Sequence, residues 1–80
     1  MVKLKNIKKS NNTIECDIYP EDSAFPGHII VSIKTEEILS CKLPQGYEWC
    51  LNHASHARWK LMEMLNNNEE ITEEILVMWC

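Results

Sequence analysis

Apolar residues recur at helical spacing in only one part of this chain. Cys50, Ala54, Ala57, Leu61 and Leu65 follow one another at intervals of four, three, four and four, which places them on one stripe of a helix. Leu51, Met62 and Met64 flank the stripe, while Lys60, Glu63 and Asn66 fall outside it. One helix is therefore expected, and the remaining apolar runs must be strands. Pro44 and Gly46 punctuate the entry. That predicts a helix start between Tyr47 and Asn52, with Asn52 as the cap. The run Asn66-Asn67-Asn68 predicts the end, because Asn is a weak helix former that tolerates the left-handed conformation. Ala54 and Ala57 are small and allow close approach to a sheet. His53, His56 and Trp59 fall on the opposite side, where the histidines are read as solvated.

The other runs alternate. In residues 13–19, Ile14, Cys16 and Ile18 face one way and Glu15, Asp17 and Tyr19 the other, the two-residue period of a half-buried strand. Residues 2–8 start the same way, with Val2 and Leu4 against Lys3 and Lys5. Ile7 is then out of phase, which predicts a bulge near Lys5-Asn6. Ser10-Asn11-Asn12 reads as a turn. A hairpin across it sets Leu4 opposite Ile18 and Lys5 opposite Asp17. PEDSAFPG at 20–27 is a loop, with Phe25 expected to fold back onto the domain. A third strand is expected at 28–34 with Ile29, Val31 and Ile33 inward. A fourth is expected at 38–43 with Leu39, Cys41 and Leu43 inward and Ile38 outward. The final run, residues 75–80, is apolar throughout, so it is either a strand covered on both faces or one whose outer face meets another molecule.

The expected fold is α+β: an antiparallel four- to five-stranded sheet in the order ββββαβ, with the helix packed on one face. Eighty residues make a single small domain, 1–80. The last strand has two edges open to it. Beside the first strand it is antiparallel, giving the order 4-3-2-1-5; beside the fourth it is parallel. The antiparallel placement is preferred, because such pairs are the commoner kind.

The net charge of −4 argues against a nucleic-acid face and against an anionic membrane target. The first ten residues lack the apolar run of a signal peptide, and no segment is long and apolar enough to span a bilayer. The expected location is cytoplasmic, with the four cysteines as reduced thiols. Cys16 and Cys41 are read as core residues.

YPEDS at 19–23, Pro26-Gly27, Gly46-Tyr47-Glu48-Trp49-Cys50, His53-Ala54-Ser55-His56-Ala57 and Val77-Met78-Trp79 together form a pattern spanning nearly the whole chain. It resembles a group of small uncharacterised bacterial proteins of about this length. The group has no assigned function, so the resemblance implies a stand-alone domain and no particular activity.

Four constellations bear on chemistry. Cys50, His53 and His56 are spaced by three, and Cys80 is a possible fourth ligand for Zn²⁺. Across six residues a helix turns through about 240°, so the three converge only if the helix start unwinds. The same residues supply a thiol and two bases, yet Cys50 is on the apolar stripe and no glycine-rich oxyanion turn adjoins it. The acidic pairs, such as Glu36-Glu37 and Glu73-Glu74, fall in turns where nothing splits their pKa values. Lys3, Lys5, Lys8 and Lys9 form a basic run with Tyr19 as a base-stacking candidate, but Glu15 and Asp17 on the facing strand neutralise it. No catalytic residue and no cofactor is assigned.

The residues favour a non-catalytic role: an interaction or accessory domain that takes a protein partner or a second copy of itself. Trp59 outside the helix stripe is the leading surface candidate, since Trp is enriched at interface hot spots. His56 beside it, Ile30 on the outward sheet face and Trp79 in the final run complete the set. The alternative is a metal- or thiol-dependent activity centred on Cys50, His53 and His56.

Overall fold

The computed structural model describes residues 1–78. The element order is β1 (Val2–Lys9), β2 (Thr13–Pro20), β3 (Gly27–Ser32), β4 (Ile38–Lys42), α1 (Leu51–Asn66) and β5 (Glu74–Val77). The strands form one antiparallel sheet in the order β4-β3-β2-β1-β5. This is the ββββαβ α+β fold expected, and the last strand joins the β1 edge.

Alternation drives the sheet. On β2 every second residue, from Ile14 to Pro20, is buried, and on β3 Ile29 and Val31 repeat the pattern. Leu4 pairs with Ile18 and Lys5 with Asp17, the register anticipated. Between Lys5 and Lys8 the register slips by one. Asn6, at φ 56°, is the bulged residue; Asn adopts that left-handed conformation more readily than most side chains. The bulge lets Ile7 pack against the core.

Helix α1 covers the sheet with Ala54, Ala57, Leu61 and Met62. It starts at Leu51, and Cys50 precedes it without a side-chain cap. Asn52 is therefore inside the first turn and does not cap. The entry is instead a series of tight backbone turns, Tyr47 N–H to Pro44 O (2.9 Å), Cys50 N–H to Tyr47 O (3.0 Å) and His53 N–H to Cys50 O (3.2 Å), which wind directly into the helix. The asparagine run does end it. Asn68 is left-handed at φ 53°, Asn68 N–H donates to Leu65 O and Glu69 N–H to Met64 O. That is a Schellman closure with Asn in the place usually taken by Gly.

The helix packs on β1, β2 and β5, so it lies to one side of the sheet. β4 extends beyond its cover and every one of its residues is exposed, whereas Ile29 and Val31 on the inner face of β3 stay buried in the core. Leu39 and Cys41 are therefore not core residues. A second register slip contributes: Ile30 pairs with Ser40 but Val31 with Ile38, which makes Leu39 the extra residue. Ile38 then shares the inner face with Val31 instead of pointing outward. The third strand ends at Ser32, and Ile33 packs against the core from the following turn. Phe25 does not fold back; it is 76% exposed. β5 is not covered on both faces, because Val77 is buried while Leu76 and Met78 are exposed. Trp79 and Cys80 lie outside the described residues. No helix among the described residues is long and apolar enough to cross a membrane.

Candidate interaction surface

The offset helix leaves a groove. Its floor is the inner face of β4, with Ile38 and Cys41, and its wall is the first turn of α1, with Leu51, Ala54 and Ser55. Leu43, Gln45 and Glu48 close one end. The volume is about 710 Å³, and the floor and wall are mainly apolar. Leu51 is 69% exposed and Leu39, on the same strand as Ile38 and Cys41, 57%. Apolar area of this kind is removed from water only by something that docks. β4 is also a sheet edge, so alternate backbone N–H and C=O groups along it face outward unpaired. The sequence reading missed this groove, because the alternation of residues 38–43 implies burial and carries no information on where the helix stops. Cys41 sits in it; partial desolvation by the groove walls raises its thiol above the ordinary value, although the residue as a whole is exposed.

The sequence-derived interface residues do not converge on the groove. Trp59 is exposed as anticipated, in a depression it shares with Arg58, Met62, Glu63 and Glu36 of the β3–β4 turn, away from the groove. His56 is half-buried. Ile30 is on the outer sheet face, half-buried between Glu15 and Ser40 of the adjacent strands.

His53 departs most from expectation. It is 8% exposed, because the loop after β2 and the turn before α1 enclose it. Its Nε2 lies 3.2 Å from Glu21 Oε2, and the Trp49 ring meets it edge-on at 6.0 Å. Glu21 also accepts from the Met1 ammonium at 2.5 Å. That contact, then His53, holds the Glu21 carboxyl below its ordinary value. Tyr47 stacks on Trp49 and donates its hydroxyl to Asp22 at 2.6 Å. Cys50 is buried beneath these residues, and burial, reinforced by Glu21, raises its thiol pKa. A nucleophilic cysteine needs the opposite shift. Among the described residues, no three His, Cys, Asp or Glu side chains are grouped to hold a metal ion.

On the outer sheet face, His28 is held between two carboxylates. Its Nδ1 is 3.0 Å from Asp17 Oδ1 and its Nε2 is 2.7 Å from Glu15 Oε2. Only the imidazolium can donate to both, and the two contacts, Glu15 first, raise its pKa. The sequence reading passed over His28, although the β2–β3 register that joins it to Asp17 follows from the alternation. Two lysines of the basic run are engaged within the sheet: Lys3 pairs with Glu74 at 3.4 Å, and the Lys5 ammonium covers the Tyr19 ring at 5.2 Å. Comparison of the chain with protein-family models, with curated proteins and with solved structures finds no match in any of the three.

Proposed function

We propose that the protein is a non-catalytic cytoplasmic interaction domain that binds another polypeptide in the groove between α1 and β4. The observation that carries this reading is the offset of the helix. It buries β1, β2 and β5 and leaves the inner face of β4, an open strand edge and Leu51 as one connected surface. An added strand pairs with such an edge through the backbone, and its alternate side chains enter the groove. The three described cysteines are free thiols, in keeping with a reducing compartment. The alternative activity at Cys50, His53 and His56 has less support: burial disfavours the thiolate a nucleophilic Cys50 would need, and among the described residues no three His, Cys, Asp or Glu side chains are grouped to hold a metal ion.

The test is to compare wild type with Leu51→Glu and Trp59→Ala in native mass spectrometry of complexes recovered from the source cell. Leu51 is exposed, so a charge there leaves the fold intact. Complexes present with wild type and Trp59→Ala but absent with Leu51→Glu are the expected result. Loss with Trp59→Ala alone would transfer the function to the outer face of the helix.

A further inference from the structure

Resting on the groove reading, we propose that its occupant is a second copy of this chain, joined by antiparallel pairing of the two β4 strands about a twofold axis between Leu39 and Ser40. Cys41 pairs with Ile29 and Ile38 with Val31, and both partners are buried. Cys41 and Ile38 therefore share the inner face, despite being three residues apart, because Leu39 is the bulged residue between them. When two β4 strands pair antiparallel, a side chain must meet one on the same face. Setting Cys41 opposite the other copy's Ile38 achieves this. Moving the register by one residue puts outward Lys42 opposite inward Ile38 instead.

The register chosen by face also matches charge. It sets Ser40 opposite Leu39 and Lys42 opposite Glu37 of the other copy, and symmetry repeats each pair. Lys42 and Glu37 are both exposed, and neither forms an ion pair among the described residues. Face and charge are independent criteria, and one register satisfies both. Such an interface is isologous and closed, which is the commonest symmetry of soluble assemblies. Between Ile38 and Cys41 the strand carries no charge to repel a copy of itself, the usual protection of an edge. The two grooves then lie on the same face of a continuous sheet, with Ile38, Cys41 and Leu51 of both copies on that face about the axis. The opposite edge lacks this match: the charges of β5 and the residue before it are acidic, and Glu74 is already paired with Lys3.

Sedimentation equilibrium over a concentration series at low salt tests the proposal. Wild type is expected to dimerise. Lys42→Glu and Glu37→Lys are each expected to weaken the dimer at least about tenfold, since each creates two like-charge contacts per dimer. The double variant restores affinity to within about threefold of wild type, which a general effect of either substitution would not do. A dimer indifferent to both single swaps, or a double variant weaker than either, overturns the β4 pairing. Wild type that stays monomeric also overturns it. In that case a complex with a different protein that Leu51→Glu abolishes preserves the groove reading, and the absence of any such complex removes both.

Discussion

Gly27 is where a single atom decides whether β3 and β4 can pair. A Cβ there would lie 2.1 Å from the Lys42 carbonyl oxygen and 2.9 Å from Leu43 Cα. Both are backbone, so neither can swing away. Gly27→Ala is expected to destabilise the protein by about 1–3 kcal/mol, the cost of overpacking a close contact, read as a lower urea midpoint. Backbone amide exchange should rise first in β4, because among the described residues that strand pairs with β3 alone. His28 has a different dependence. Its ordinary pKa is 6.5 and its partners raise it. Its contribution to stability is therefore complete below pH 6.5 and fades as pH rises through the higher folded value. Asp17, lowered from 3.8 first by the Asn6 hydrogen bond (2.8 Å) and then by His28, contributes above pH 3.8 and loses that contribution as pH falls through its folded value. The stability of wild type over His28→Gln is thus expected to be greatest between pH 3.8 and 6.5 and to shrink at higher pH. The margin is under about 1 kcal/mol, because the His28 side chain is 44% exposed and solvent screens the contacts. Thermal melts across pH check it; a margin that grows above pH 7 would contradict the assignment of the two contacts.

At the scale of elements, the two faces of α1 carry different loads. Leu61 is fully buried and Trp59 is 55% exposed, two residues apart on the same helix. Leu61→Ala is expected to cost about 2–5 kcal/mol, and Trp59→Ala about 1 kcal/mol or less, in urea melts of the two variants. The spacing from Cys50 to Leu65 already separates these faces, because the helical period depends only on the backbone. It does not place His53. On a bare helix His53 is off the apolar stripe; among the described residues, the loop carrying Glu21 and the turn carrying Trp49 enclose it. Those segments are far from it in sequence or irregular in conformation, and neither has a period to read. β4 failed for a related reason. Its alternation implies an inner face, but the bulge at Leu39 reverses the parity of Ile38, and a bulge beside a single Leu leaves no mark in composition. The bulge in β1 was legible, since Ile7 fell visibly out of phase.

Across the whole molecule the helix sits off-centre, and the cysteines register it. Cys16 is in the covered part of the sheet, and burial, with Asp17 adding, pushes its thiol up to about 12. Cys50 is buried under the Glu21 loop, while Cys41, on the same sheet face as Cys16, is exposed. In a Cys80→Ser background at low protein concentration, a neutral-pH thiol reagent is expected to label Cys41 first. Cys16 and Cys50 should react only at the rate of unfolding. Rapid labelling of Cys16 would mean that the helix does not cover β2 in solution.

By itself the sequence determined the elements, the β1–β2 register and the number of helices, because alternation and helical period are local consequences of backbone geometry and are written directly in residue order. Antiparallel pairing of the last strand was preferred on general grounds, and the structure places it there. Which part of the sheet the helix covers was decided only by tertiary packing. One helix is narrower than a five-stranded sheet, so some strands must stay uncovered. The choice depends on the path of the turn before α1 and on the joining of β5 to β1, which draws the helix toward that edge. The groove beside β4 follows from that choice, and so does the functional reading built on it.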